Sequence, residues 1–215
     1  MKIVQLTVVD EQRALQHAVE TLRFGGVIIF PTDTLYGLGA DALSDAAVDK
    51  IYQIKGRDKN KPIHCVVSDI AMAQRYAEMN DVSRTLAEIF LPGPLTLILK
   101  KREGINSGIV HDIETIGIRI PNNEFCLALA REFNGPITAT SANKSGEAPS
   151  RTIDSIISQV GQAAIMVDAA FDAGELPESL PSTVVDLSLD PPVLLREGAL
   201  PIEKLRKYIP LVVKR

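Results

Sequence analysis

The feature that most restricts how this chain can fold is a recurring pair: apolar residues at helical spacing up to a glycine stop, then a short, largely apolar run. Ala14, Leu15, Ala18, Val19 and Leu22 form the first stripe, Gly25-Gly26 ends it, and Val27-Ile28-Ile29-Phe30 reads as a buried strand. The unit recurs as Ala47, Val48, Ile51 and Ile54, a stop at Gly56, and a strand from Ile63 to Val67 that leads into a helix over Asp69 to Met79. Such alternation predicts an α/β chain.

Downstream, Leu91-Pro92-Gly93-Pro94 punctuates the chain before an uncharged strand, Leu95 to Leu99. Ile116, Ile118 and Ile120 alternate with Gly117 and Arg119, so a strand there sends Arg119 from the face opposite the isoleucines. A helix over Asn123 to Phe133 and a strand over Ile137 to Thr140 deliver Ser141-Ala142-Asn143 to a strand end, a common ligand position in α/β sheets. A helix near Thr152 to Val160, strands near Ile165 to Val167, Thr183 to Asp186 and Val193 to Arg196, and a helix from Ile202 to Tyr208 complete the reading. Strands outnumber helices and the Pro-Gly-Pro turn suits antiparallel neighbours. The expected fold is therefore a twisted, mostly mixed sheet flanked by helices. With 215 residues, 46% of them hydrophobic, and no flexible tract, one domain over 1–215 is expected.

A formal charge of −4 supplies no global attraction for nucleic acid, so any such contact needs a local basic patch. Met1 to Asp10 lacks a basic segment followed by an apolar stretch, and no apolar run is long enough for a bilayer. A soluble cytoplasmic protein is the expectation, with no membrane partner. Cys65 and Cys126 sit in apolar surroundings and read as small hydrophobes, while His17, His64 and His111 belong to no ligand cluster. No permanent metal site is expected.

Chemistry concentrates in two segments: Pro31 to Ala42, rich in hydroxyls and glycine, and Lys55-Gly56-Arg57-Asp58-Lys59-Asn60-Lys61-Pro62. Gly37-Leu38-Gly39-Ala40-Asp41-Ala42 matches a dinucleotide-binding pattern formally. Its context does not: Pro31 to Tyr36 intervenes after the strand, and the ribose-binding acid would fall in the basic segment. Lys55, Arg57, Lys59 and Lys61 alternate, so an extended backbone would put them on one side; a solvated loop and an anion site are equally compatible with that run. Thr32, Asp33 and Thr34 follow a strand, where a cap or turn is the simpler reading, for Asp33 above all. Nothing pairs a serine with a histidine base as a hydrolase requires.

In combination these segments resemble the family of YrdC-type threonylcarbamoyl-AMP synthases and their YciO relatives. The resemblance spans nearly the whole chain. Its residues are the Pro31 to Ala42 run, Lys55-Gly56-Arg57 with Lys61-Pro62, Pro92-Gly93-Pro94-Leu95-Thr96, Thr115 to Arg119, Ser141-Ala142-Asn143-Lys144-Ser145-Gly146, Ser182 to Asp186, and Leu195-Arg196-Glu197-Gly198. The resemblance implies a YrdC-like fold with a large, concave basic cavity. It implies a nucleotidyltransferase joining L-threonine, bicarbonate and ATP into threonylcarbamoyl-AMP, with pyrophosphate released and Mg²⁺ arriving with the nucleotide. The product would feed threonylcarbamoyladenosine modification of tRNA through partner enzymes.

By the same resemblance Lys55, Arg57, Ser141 and Asn143 are the catalytic set, and Thr34, Arg119 and Ser182 bind threonine. Arg57, Lys61, Thr115, Ser141, Ser150 and Arg196 bind ATP. A cluster of cations suits that chemistry, because triphosphate, carboxylate and bicarbonate must approach one another against mutual repulsion. Two departures stand out. The family's strand histidine matches Val66, whereas here His64 lies two residues earlier, and Glu197 stands where a proline is frequent. The alternatives are a YciO-type paralogue that binds double-stranded RNA or tRNA, and a transferase acting on carbamoyl phosphate.

Overall fold

The computed structural model describes residues 1–6 and 10–210, and the backbone of 212–213. Its strands are β1 (Lys2–Gln5), β2 (Ile28–Phe30), β3 (Gly37–Gly39), β4 (Cys65–Val66), β5 (Leu95–Lys100), β6 (Thr115–Arg119), β7 (Ile137–Thr138), β8 (Thr140–Ser141), β9 (Ala169–Asp172), β10 (Thr183–Asp186), β11 (Val193–Arg196) and β12 (Val212–Val213). The helices are α1 (Glu11–Arg23), α2 (Asp45–Lys55), α3 (Ile70–Tyr76), α4 (Asp81–Phe90), α5 (Glu124–Phe133), α6 (Ile153–Val160) and α7 (Ile202–Leu205). The fold is mixed α/β, as the alternation predicts, with the strands divided between two mixed sheets. One has five strands in the order β1-β9-β2-β3-β8, the other seven in the order β12-β11-β10-β5-β6-β4-β7.

Alternation of side chains along the strands decides where each core lies. On the five-stranded sheet, Ile28, Phe30, Ala169 and Phe171 face the apolar stripes of α1 and α5, through Leu15, Val19, Leu22, Phe125 and Leu129. Ile29, Leu38 and Ala170 join the larger core, which also takes Leu95, Leu97 and Leu99 of β5, Ile116 and Ile118 of β6 and the inward faces of α2, α4 and α6. The other face of the seven-stranded sheet is left to line a cavity. Thr115, Gly117 and Arg119 point there from β6, so Arg119 does emerge opposite the isoleucines.

Several elements were not legible in the sequence. Gly37-Leu38-Gly39 is strand β3, antiparallel to β2 with Phe30 opposite Gly37 and Ile28 opposite Gly39. A Cβ at Gly39 would lie 2.8 Å from the Phe30 ring, so the glycines make room for that ring. The expected strand at Ile165 to Val167 is instead a 3-10 turn over Gly161–Met166, with Ile165 87% exposed, and the strand is β9 just beyond it. The small Ala169 and Ala170 let β9 pack between β1 and β2, both parallel to it. The helix from Asp69 stops at Tyr76, because Ala77 forms a bridge with Lys101, and the last helix ends at Leu205.

Candidate functional site

The cavity, of about 580 Å³, opens over the seven-stranded sheet and is walled by the β2–β3 loop, the segment after α2 and the turn after β8. Arg57, Arg119, Arg196 and His64 line it together with Thr34, Thr115, Ser141, Asn143 and Ser182, and its carboxylates are Glu147 and Asp186.

Arg119 is 4% exposed and anchored on three sides. Its Nη2 donates to Asp33 Oδ1 (2.5 Å), its Nη1 to Thr34 Oγ1 (2.9 Å) and its Nε to the Gly93 carbonyl (3.4 Å). Of five guanidinium N–H groups, two remain for a ligand. Burial pulls the Arg119 pKa below the ordinary arginine value, and the Asp33 carboxylate acts against that. Asp33 is therefore no mere turn residue. The turn belongs to Thr32, whose hydroxyl accepts from the Thr34 and Leu35 amides (3.1 Å each) and donates to the Leu35 carbonyl (2.7 Å).

Lys55 closes α2, followed by Gly56 with φ 55° as the left-handed cap. The lysine turns inward and is 1% exposed. Its ammonium donates to the carbonyls of Ser141 (2.5 Å) and Asn143 (2.9 Å) and to Asn143 Oδ1 (3.0 Å), while its own carbonyl accepts from Ser145 N (2.8 Å). Ser141 Oγ donates to Asn143 Oδ1 (2.6 Å), and Asn143 Nδ2 donates to the Glu147 carbonyl (2.6 Å). Burial, then the Arg57 charge, bring the Lys55 pKa down to about 7; three acceptor oxygens at the ammonium favour the charged form. Lys55 lies behind the lining and fixes the Ser141 to Glu147 turn.

The other cations behave differently. Arg57 is held on one edge, donating to the Lys61 and Pro62 carbonyls (3.0 and 3.1 Å), with the rest of its fork toward the cavity. Arg196 donates to the Ser182 carbonyl (3.0 Å) and hydroxyl (3.2 Å), and Ser182 Oγ lies 2.9 Å from Thr96 Oγ1. Lys59 pairs with Asp49 (2.6 Å) on the exposed side, so the four alternating cations do not share one face. Lys61 and Ser150 are outside the lining, each the neighbour of a lining proline, Pro62 and Pro149. Glu197 also turns away: its Oε1 accepts from Ile202 N (2.8 Å) at the start of α7, and the departure adds no negative charge to the cavity. Sequence reasoning missed Tyr36, whose hydroxyl donates to the Gly174 carbonyl (2.7 Å) and accepts from Ala173 N (2.9 Å), tying the cavity wall to the segment after β9.

A family model covering the Sua5, YciO and YrdC proteins, described as telomere recombination, matches residues 20–198. The chain belongs to the Sua5/YciO/YrdC family. A Methanocaldococcus jannaschii relative is 39% identical over 208 residues, 96% of each chain. The threonylcarbamoyl-AMP synthase of Pyrococcus abyssi is 38% identical over 200 residues, which are 93% of this chain and 58% of that one. The crystal structure of P. abyssi Sua5 complexed with L-threonine matches with a TM-score of 0.87 and 34% identity, over 98% of this chain and 62% of that one. Escherichia coli YciO matches with a TM-score of 0.83 and 27% identity, over 95% and 98% of the two chains.

Within this member of the family, the cavity brings together Arg57, Ser141, Asn143, Thr34, Arg119, Ser182, Thr115 and Arg196 from segments far apart in sequence. Such a lining can hold a carboxylate beside a polyphosphate. Arginine forks donate to either bidentately, and hydroxyls adjust to both.

Proposed function

We propose that this chain is an L-threonylcarbamoyl-AMP synthase working in that cavity as a single domain. Arg119, Thr34 and Ser182 hold threonine; Arg57, Thr115, Ser141 and Arg196 face the nucleotide, with Lys61 and Ser150 reaching it from the rim. The observation that carries the reading is the pair of arginine groups on the lining: Arg119 sunk into the sheet beside Thr34, Arg57 and Arg196 open toward the mouth.

In the proposed reaction the threonine ammonium gives up a proton to solvent, the free amine attacks the carbon of bicarbonate, and water leaves. An oxygen of the resulting carbamate attacks the α-phosphorus of ATP, the bond to the β-phosphate breaks, and pyrophosphate departs. Each step brings anions together, and Arg57 and Arg196 stabilise the charge that develops on the transferring group. Lys55 acts through Asn143 and the Ser141 carbonyl as a positioning residue. Mg²⁺ enters with the triphosphate as part of the substrate; among the described residues no three His, Cys, Asp or Glu side chains form a site for it. The product is a mixed anhydride, and we assign its transfer to tRNA to a partner enzyme. Among the described residues no helix is long and apolar enough to cross a membrane, and the proposed setting is the cytoplasm.

The reading is tested by pyrophosphate release. It should require threonine, bicarbonate and ATP together; release that persists without threonine would overturn it, as would turnover of carbamoyl phosphate in place of threonine and bicarbonate.

A further inference from the structure

The turn that follows β8 is fastened at both ends to one residue, Tyr36. At its start Ala142 N donates to the Tyr36 carbonyl (2.8 Å), and at its end Arg151 meets the strap that runs on from β9. Leu176 N donates to the Arg151 carbonyl (3.0 Å), Arg151 Nε donates back to the Leu176 carbonyl (2.7 Å), and the Arg151 guanidinium pairs with Glu175 (2.9 Å). Two residues before Leu176, the Tyr36 hydroxyl donates to the Gly174 carbonyl (2.7 Å) and accepts from Ala173 N (2.9 Å). The backbone and the side chain of one tyrosine thus close residues 142–151 into a ring.

The strap is built to hold that position. Gly174 has φ 79°, a left-handed conformation that glycine adopts without strain, and its amide donates to Asp172 Oδ1 (2.8 Å), so the chain turns where the phenol meets it. Leu176 is buried in the larger core and anchors the far end. Tyr36 is buried as well, and burial foremost pushes its pKa up to about 12, so the phenol keeps its proton. That single proton goes to the Gly174 carbonyl, since Asp172 Oδ1 is farther away at 3.3 Å.

The two halves of the turn are fixed by different means. Lys55 holds Ser141 and Asn143 from behind the lining. The second half, residues 147–150, carries Glu147 and Pro149 to the cavity mouth, where both are exposed. Asn143 Nδ2 holds the Glu147 carbonyl and Gln159 Nε2 the Ala148 carbonyl (3.0 Å); beyond them the chain runs through Pro149 and Ser150 to Arg151, whose bonds to Leu176 are the next fixed point. The amino-acid side does not depend on this linkage. Thr32, Thr34 and Leu35 close their own turn, and Thr34 holds to Arg119.

We propose that Tyr36 is a positioning residue for the nucleotide: its hydroxyl, acting through the strap of residues 173–176 and through Arg151, sets residues 147–150 against bound ATP and leaves the amino acid untouched. The inference rests on the assignment of Ser141 and Ser150 to ATP proposed above. A phenylalanine ring would fill the same space but leave the Ala173 amide and the Gly174 carbonyl without their partner. The strap would then be free to shift, and the turn would lose its rear anchor.

Calorimetric titration of the full chain with the Mg²⁺ complex of α,β-methylene-ATP, whose bridge cannot be cleaved, and separately with L-threonine tests this without turnover. Tyr36→Phe should weaken the nucleotide analogue about five- to tenfold, the size expected for one lost neutral hydrogen bond, with threonine affinity within about twofold of wild type. Arg151→Ala changes a half-exposed side chain, leaves the core intact and breaks the same linkage at its other end, so it should give the same selective loss. Combining the two should weaken the analogue no further than the weaker single variant, because two breaks in one linkage do not add. ATP KM should rise in all three variants while threonine KM holds. Equal losses for both ligands, unchanged analogue affinity in Tyr36→Phe, or a double variant in which the single losses multiply would each overturn the assignment. A wild-type chain that binds neither ligand and releases no pyrophosphate would instead bring down the underlying enzyme reading.

Discussion

The residues around the cavity fall into two regions that the sequence presents as one cluster of polar and basic groups. In the first, two separate clusters are closed by their own hydrogen bonds, Lys55 with Ser141 and Asn143, and Arg119 with Asp33 and Thr34. Lys55 and Arg119 are 1% and 4% exposed, and the protein occupies every donor of Lys55 and three of Arg119. In the second, Arg57 and Arg196 each spend part of their fork on backbone or hydroxyl oxygens and turn the remainder toward the mouth. A buried, satisfied charge sets shape, because losing its partner strands it in a poor solvent; an open charge is cheap to hold and free to meet a ligand.

That contrast can be broken by stability measurements. Asp33→Ala has the largest expected effect: it leaves Arg119 buried without its carboxylate, which costs about 3–5 kcal/mol and should lower the melting temperature by roughly 10 °C. A melt within a degree of wild type would mean the pair carries no stability. Lys55→Ala should cost about 2–4 kcal/mol in urea denaturation, somewhat less than the lost bonds suggest, because burying an ammonium is itself unfavourable. Its threonine-dependent pyrophosphate release should fall with it.

Arg57→Ala should behave in the opposite sense. The melt should move by no more than about 2 °C, since a cation on a half-open rim contributes little to folding, while pyrophosphate release drops about 100-fold. A folded variant with wild-type activity would remove Arg57 from the chemistry. Arg119→Lys should raise threonine KM more than ATP KM, because lysine lacks the planar fork; equal changes would make Arg119 a general electrostatic group.

A further effect, set by pH, comes from His64. His64 titrates near 6.5 in the unfolded chain and near 3 in the folded one, so in acid the unfolded state takes up the proton first. Its contribution to stability is present above about pH 6.5 and is lost as pH falls toward 3. The urea midpoint of wild type should therefore drop more steeply than that of His64→Gln between about pH 6.5 and pH 4; identical slopes would show the folded ring accepting a proton as readily as the unfolded one.

The elements legible in the sequence are those whose apolar period is uninterrupted: α1, α2, α5, β2, β5 and β6 follow directly from their stripes and alternations. Of those missed, β3 and β9 are short and lack a strongly apolar run, whereas α4 carries a regular stripe, Val82, Leu86 and Phe90, behind a polar first turn. β3 is a Gly-Leu-Gly strand recognisable only from the Phe30 ring packed on it, and α4 begins in a polar stretch, capped by Asn80 accepting from Ser83 N (2.9 Å). β9 is passed over because Ala169 and Ala170 carry little hydrophobic signal, though both are fully buried.

For the site, sequence identified Arg119 through its alternation with isoleucines, a local property. Asp33 looked like a turn residue because its partner lies 86 positions away, and the inward course of Lys55 depends on the turn at Ser141 and Asn143, equally distant in sequence. Long-range pairing of polar groups leaves no local period to read.

The central claim, that both regions serve one amino-acid and nucleotide site, is tested most directly by a melting series in ATP plus L-threonine. The ligands would bind side chains from strands and loops spread along the chain. The melting temperature should therefore rise across the whole transition and keep rising with ligand concentration, as mass action requires. Double-stranded RNA at physiological salt should shift it far less, because an acidic chain gains little from counterion release. Strong stabilisation by RNA, with ATP and threonine leaving the melt unchanged, would contradict the account and favour an RNA-binding YciO-type role.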